Sequence, residues 1–183
     1  MGIFDNRRVA ASVRTDEDFL VALESAADVI FLQNSNIMNL DDQIRAAHSK
    51  NKIVFVHMDF AEGIGKDRAG LNFVKLKGAD GILSTRSGLI KYAREIGLET
   101  VQRFFIVDSH SVDTAIESIK IAKPDIVEIM PGVLEKKIIE FANKATTPIL
   151  AGGLIEYESE VDAALDAGAT AVSTGQRKLW NYR

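Results

Sequence analysis

Eight short apolar runs, each followed by a stretch of helical periodicity, divide this 183-residue sequence from end to end. The runs are Val9–Val13, Asp28–Leu32, Lys52–Met58, Gly81–Leu83, Thr100–Val107, Asp125–Met130, Ile149–Ala151 and Ala169–Val172. Short apolar runs bounded by Gly, Pro and Asp are the pattern of strands buried on both faces. Between them, Thr15 or Asp16 caps a helix through Ala22–Ser25, and Leu40–Lys50 sets Leu40, Ile44 and Ala47 at helical spacing. Asp67–Lys77, Leu89–Ile96, a long stretch ending at Ala122, and Leu134–Ala145 continue the series. Strict β/α alternation implies a parallel sheet. Eight units favour closure, because an open doubly wound sheet needs fewer strands and leaves some runs unexplained. The expected fold is therefore α/β, a compact (β/α)8 TIM-type barrel in one domain over residues 1–183. The units are short for such a barrel, so one or two stunted helices are expected.

Composition narrows the chemistry. Cysteine is absent, which excludes disulfides, thiolate metal sites and cysteine nucleophiles and fits a reducing, cytoplasmic setting. The N-terminus, MGIFDNRR, has no apolar core for a secretory signal, and no run approaches a membrane span. A net charge of −4 gives no general attraction to nucleic acid, so any RNA contact needs a local basic face. No Walker A loop, complete G-x-G-x-x-G or metal-ligand spacing is present, and neither a metal nor a cofactor is expected.

The last quarter of the chain carries the clearest site signal. The run ending at Ala151 meets Gly152–Gly153 and then an amphipathic helix; the next meets Ser173, Thr174 and Gly175 before a short helix opens with Gln176. A lone Gly-Gly or Thr-Gly more often than not only turns a chain. Two in tandem, after the seventh and eighth strands of a barrel, form the usual phosphate grip of backbone N–H donors at helix starts. The expected phosphate ligands are Gly152, Gly153, Ser173, Thr174, Gly175 and Gln176.

Barrel sites lie at the carboxyl ends of the strands. The polar residues there are Arg14, Gln33, Asn34, His57, Asp59, Thr85, Arg86, Gln102, Arg103, Asp108 and Glu128. Period-two alternation sets His57 and Asp59 on one face with Ile53 and Phe55, and Glu128 with Ile126 and Met130. A carboxylate inside an apolar strand needs a partner. Glu128 is either paired with Arg14 or Arg103, or grips ligand hydroxyls with Asp59 and His57. Arg14, Thr85 and Arg103 complete the expected mouth. For RNA phosphates the candidates are Arg177, Lys178 and Arg183, beside Lys136 and Lys137, whose pattern better suits a solvated helix face.

The segments HMDFAEGIGKD (His57–Asp67), GILSTRSGLI (Gly81–Ile90), VQRFFIVDS (Val101–Ser109), PDIVEIMPGV (Pro124–Val133), PILAGGLI (Pro148–Ile155) and AGATAVSTGQRKLW (Ala167–Trp180) together resemble the glycerol uptake operon antiterminator regulatory protein family. Gly175 departs from the family pattern, in which serine or a similar residue follows Ser-Thr; a hydroxyl donor is lost and the backbone N–H remains. The resemblance implies a (β/α)8-type fold, glycerol-3-phosphate as effector, and binding to leader mRNA that prevents transcription termination. Three readings stay open: this ligand-gated RNA-binding regulator, a barrel enzyme acting on a phosphorylated three-carbon substrate such as a glycerol phosphate ester, and a barrel that has lost its function. Neither the RNA face nor the oligomeric state, monomer or homo-oligomer, follows from the residues.

Overall fold

The computed structural model describes residues 3–4, 7–108 and 110–182. Eight parallel strands close in chain order into a barrel. They are β1 (Val9–Val13), β2 (Val29–Leu32), β3 (Ile53–His57), β4 (Gly81–Ser84), β5 (Glu99–Phe105), β6 (Ile126–Met130), β7 (Ile149–Gly152) and β8 (Ala171–Thr174). Seven helices alternate with them: α1 (Asp16–Glu24), α2 (Leu40–Ser49), α3 (Arg68–Leu76), α4 (Ser87–Glu95), α5 (Ser111–Ala122), α6 (Glu135–Lys144) and α7 (Glu158–Asp166). After β8 a 3₁₀ turn, Arg177–Asn181, stands where an eighth helix would lie, so the expected stunted helix is the last. The barrel closes where β8 meets β1, with Val9 opposite Val172.

Alternation along each strand makes two cores. Outward residues such as Ile30, Val54, Ile82, Val127 and Val172 pack under the helices against Phe19, Ile44, Leu71, Ile90 and Phe141. Inward residues Phe31, Phe55, Leu83, Val101, Ile126 and Leu150 fill the barrel, and Phe4 packs with them. Phe31 and Phe55 meet edge to face at 5.4 Å. The inward positions nearest the carboxyl ends are polar: Ser12, Gln33, His57, Arg103, Glu128 and Ser173. An apolar plug thus supports a polar upper layer.

Several boundaries differ from expectation. β8 lies two residues later than the apolar run Ala169–Val172, because Ala169 N–H still bonds Ala164 O in the turn that ends α7. That shift draws the hydroxyl residues Ser173 and Thr174 into the strand, where both are buried. β5 stops at Phe105, short of Val107, and β3 at His57, where a 3₁₀ turn, Met58–Phe60, takes over. Gln102, counted among the mouth residues, points outward and donates to Ser87 and Ser118 under α4 and α5. Among the described residues no helix is long and apolar enough to cross a membrane.

Candidate functional site

Glu128, with no exposed surface, lies in the polar layer. Arg103 donates to it through Nε at 2.6 Å and through Nη1 to Gln33 Oε1 at 3.3 Å. Ser173 Oγ donates to the other carboxylate oxygen. The alternative in which Glu128 pairs with Arg103 is the one the fold adopts, and both oxygens face protein donors. Pairing is what makes a carboxylate tolerable here, since an uncompensated buried charge is severely destabilising. Gly152 follows from the same packing: a Cβ on it would lie 2.5 Å from Glu128 Oε1 and 2.6 Å from Ser173 Oγ. Its lack of a side chain makes room for the ion pair.

Above this layer a cavity of about 390 Å³ opens at the carboxyl ends of β1, β7 and β8. Its floor is Ser12, Gln33, Arg103 and Ser173; its walls are Arg14, the loop Gly153–Glu156 and the segment Thr174–Gln176. Gly153 and Leu154 both have left-handed backbone, at φ 77° and 62°. For leucine that conformation costs about 1–2 kcal/mol, and such strain gathers at ligand clamps. A side chain on Gly153 would also strike Met130, its Cβ falling 2.7 Å from the terminal methyl. Thr174 Oγ1 donates to Ile155 O at 2.7 Å and accepts from Gln176 N–H at 3.0 Å, locking the two phosphate-loop candidates together. The Gln176 N–H is thereby used internally. Gln33 Nε2, by contrast, is buried and has no partner in the described structure. A buried amide N–H without an acceptor is costly, and here it belongs to a side chain on the cavity floor.

Gly153, Ser173, Thr174, Gly175, Gln176, Arg14 and Arg103 thus come together in one cavity, with Gly152 and Glu128 directly behind it. His57, Asp59 and Thr85 do not line it. Asp59 accepts from Ser84 Oγ at 2.9 Å and from Thr85 N–H and Oγ1 at 2.7 and 3.0 Å, clasping the loop that starts α4. Burial pushes the Asp59 carboxyl up, but the His57 ring and the Thr85 and Ser84 donors outweigh it and hold the group well below the usual carboxylate range. His57 Nε2 stands 3.6 Å from Asp59 Oδ2. His57 is 1% exposed, and neither ring nitrogen has a partner among the described residues.

Two of the terminal cations are engaged. Arg177 binds Glu17 and Asp18 of α1, each at 2.7 Å, and Lys178 lies 4.6 Å over the Tyr157 ring. Arg183 lies outside the described residues. The cavity also uses Ser12, Met130, Leu154 and Ile155, none of which stood among the expected site residues. Gln33 carried a signal, since it continues the inward parity of Val29 and Phe31. Among the described residues no three metal-ligating side chains are grouped to hold an ion.

A closed parallel eight-stranded barrel with a small-molecule-sized cavity at the carboxyl mouth is a TIM-type (β/α)8 protein. The family model for the glycerol-3-phosphate responsive antiterminator matches residues 9–180, and the chain belongs to that family. It is 32% identical over 173 residues to the protein YgcP of Escherichia coli (strain K12), covering 94% of this chain and 91% of YgcP. The structure is similar to that of the glycerol uptake operon antiterminator regulatory protein from Listeria monocytogenes str. 4b F2365. The TM-score is 0.93 at 27% identity, with 99% of this chain and 98% of that chain covered. A glycerol uptake operon antiterminator-related protein from Thermotoga maritima MSB8 superposes with a TM-score of 0.85 at 33% identity, over 95% of this chain and 98% of that one.

Proposed function

We propose that this chain is a transcription antiterminator of glycerol uptake and metabolism genes that takes glycerol-3-phosphate in the β7–β8 cavity and, so loaded, holds leader mRNA. The observation that carries this reading is the meeting of the left-handed Gly153–Leu154 loop and the Ser173–Gly175 segment with a buried guanidinium and the unpartnered amide of Gln33. Loop N–H groups suit a phosphate, which also gains from Arg14 at the lip. Two of Arg103's five N–H donors are taken by Glu128 and Gln33, and the others serve phosphate or hydroxyl oxygens. Gln33 Nε2, Ser12 and Ser173 suit the glycerol hydroxyls. Asp59 and Glu128, whose oxygens already accept internal donors, serve the site through the parts they hold. A transcription regulator of this kind works in the cytoplasm.

Regulation requires that ligand and RNA prefer the same conformation, so each raises the other's affinity by the same factor. Titration calorimetry with glycerol-3-phosphate, glycerol and inorganic phosphate tests the first half, with the ester expected to bind tightest. Gly153→Val, which places a branched side chain against Met130 and in the anion's approach, is expected to weaken that binding tenfold or more. Leader-RNA retention with and without glycerol-3-phosphate tests the second half. Turnover of the ester with no effect on RNA would move the chain to the enzyme class.

A further inference from the structure

Charge is unevenly placed along this acidic chain. Residues 66 to 95, which form α3, β4, α4 and their loops, contain seven Lys or Arg against three Asp or Glu, while the remainder holds fifteen against twenty-three. Two of the three acids are turned to protein donors: Asp67 caps α3 by accepting from Gly70 N–H, and Asp80 accepts from Val54 N–H and meets His48. Helices α3 and α4 pack side by side. On α3, Arg68, Asn72 and Lys75 are exposed at i, i+4 and i+7, which is one outward row about 10.5 Å long. On α4, Tyr92 joins that row: Arg68 covers its ring at 4.7 Å, and Asn72 Nδ2 donates to its hydroxyl at 2.9 Å. Lys91 is exposed next to Tyr92. Lys77, Arg86 and Arg94 of this segment are paired with Asp41, Asp59 and Asp125; among the described residues Arg68, Lys75 and Lys91 have no carboxylate within ion-pair distance, and Lys75 Nζ donates to Ile96 O.

We infer that this α3–α4 face is the surface that meets RNA phosphates, an assignment that rests on the regulatory reading above. At about 10.5 Å the row is long enough to meet successive phosphates of one strand. Arg68, stacked on Tyr92 and so held in one geometry, keeps its outer N–H groups for a phosphate. The two alternative places for RNA are poorer. At the carboxyl end of the barrel the exposed carboxylates of Glu62, Asp108 and Glu156 repel a polyanion, and the C-terminal Arg177 is neutralised by Glu17 and Asp18. RNA and effector thus occupy separate surfaces. They are joined where α4 begins: Asp59, which clasps Ser84 and Thr85, follows β3 directly beyond His57 in the polar layer.

The test compares two double charge reversals in the full chain with leader RNA and saturating glycerol-3-phosphate. Lys75→Glu/Lys91→Glu strikes the face; Lys120→Glu/Lys136→Glu makes the same change in net charge on α5 and α6. Both are expected to bind glycerol-3-phosphate normally, which shows that they are folded. The first is expected to lose tenfold or more in RNA affinity and to flatten the slope of log K against log salt by about 1.4, the equivalent of two single-strand phosphate contacts. The second is expected to stay within about threefold of the original. Equal weakening by both variants would overturn the face while leaving the regulatory reading intact. A native chain that binds glycerol-3-phosphate yet holds no leader RNA would overturn both. Loss of heparin retention without loss of RNA would show a polyanion patch that is not the RNA surface.

Discussion

The buried pair Arg103–Glu128 decides more than any other two side chains, because the cavity floor stands on it. Removing the cation alone, as in Arg103→Met, leaves a carboxylate with no exposed surface unpaired, and about 3–5 kcal/mol of stability is expected to be lost. The double variant Arg103→Met/Glu128→Leu is expected to regain most of that loss in denaturant unfolding yet still not bind glycerol-3-phosphate. Recovery of ligand binding in the double variant would make the pair purely structural. Asp59 gives a different handle, through pH. Its folded carboxyl titrates below the ordinary value near 4, so its contribution to stability is full above that value and is lost as pH falls through the lower, folded one. Asp59→Asn is therefore expected to melt lower at neutral pH and to have a flatter acid limb than the original. A variant with unchanged melting but tenfold weaker ligand binding would place Asp59 among the ligand's own contacts. At this scale the sequence was partly legible. Inward parity located Glu128, and the cost of an unpaired charge demanded a partner, but which arginine supplied it depended on the β5–β6 register that sets Arg103 opposite Glu128. Leu154 was not legible at all, because nothing in leucine announces left-handed backbone.

Elements were easier to see than their ends. Seven helices and eight strands follow from apolar periodicity alone, since burial on both faces forces a continuous run and burial on one helical face forces a stripe. The run Ala169–Val172 misled by two residues because alanine suits a turn after α7 as well as a strand. The eighth unit ends in a five-residue 3₁₀ turn that buries Leu179 and Trp180 against the barrel, and Trp180, fully buried, donates through Nε1 to Thr174 O at 2.8 Å. Trp180→Ala is expected to destabilise the chain by about 3–5 kcal/mol, and more moderately as Trp180→Phe, measured by denaturant unfolding. The same turn carries Arg177 to Glu17 and Asp18, stitching the end of the chain to α1 beside the cavity. Reversal at Arg177 is thus expected to loosen that seam and to disturb ligand binding before it reports anything about RNA.

For the molecule as a whole, the two surfaces make a prediction about occupancy. If effector and RNA met at one mouth they would compete; on separate surfaces they are expected to form a ternary complex. Leader RNA added to saturation should raise the affinity for glycerol-3-phosphate by the same factor by which glycerol-3-phosphate raises that for RNA. Sequential calorimetric titrations check the equality, and mutual exclusion would reject the arrangement. Increasing salt is expected to weaken the RNA arm far more steeply than the effector arm, which uses one phosphate.

Trp180 is also the only tryptophan in the chain. Its indole N–H hangs on the carbonyl of Thr174, one peptide bond before Gly175 in the cavity wall. The protein therefore carries a single built-in fluorophore wired to the wall that the effector would touch. Occupancy of the cavity is expected to shift its emission, unfolding to move it to the red, and the two changes to be separable in one cuvette without any label.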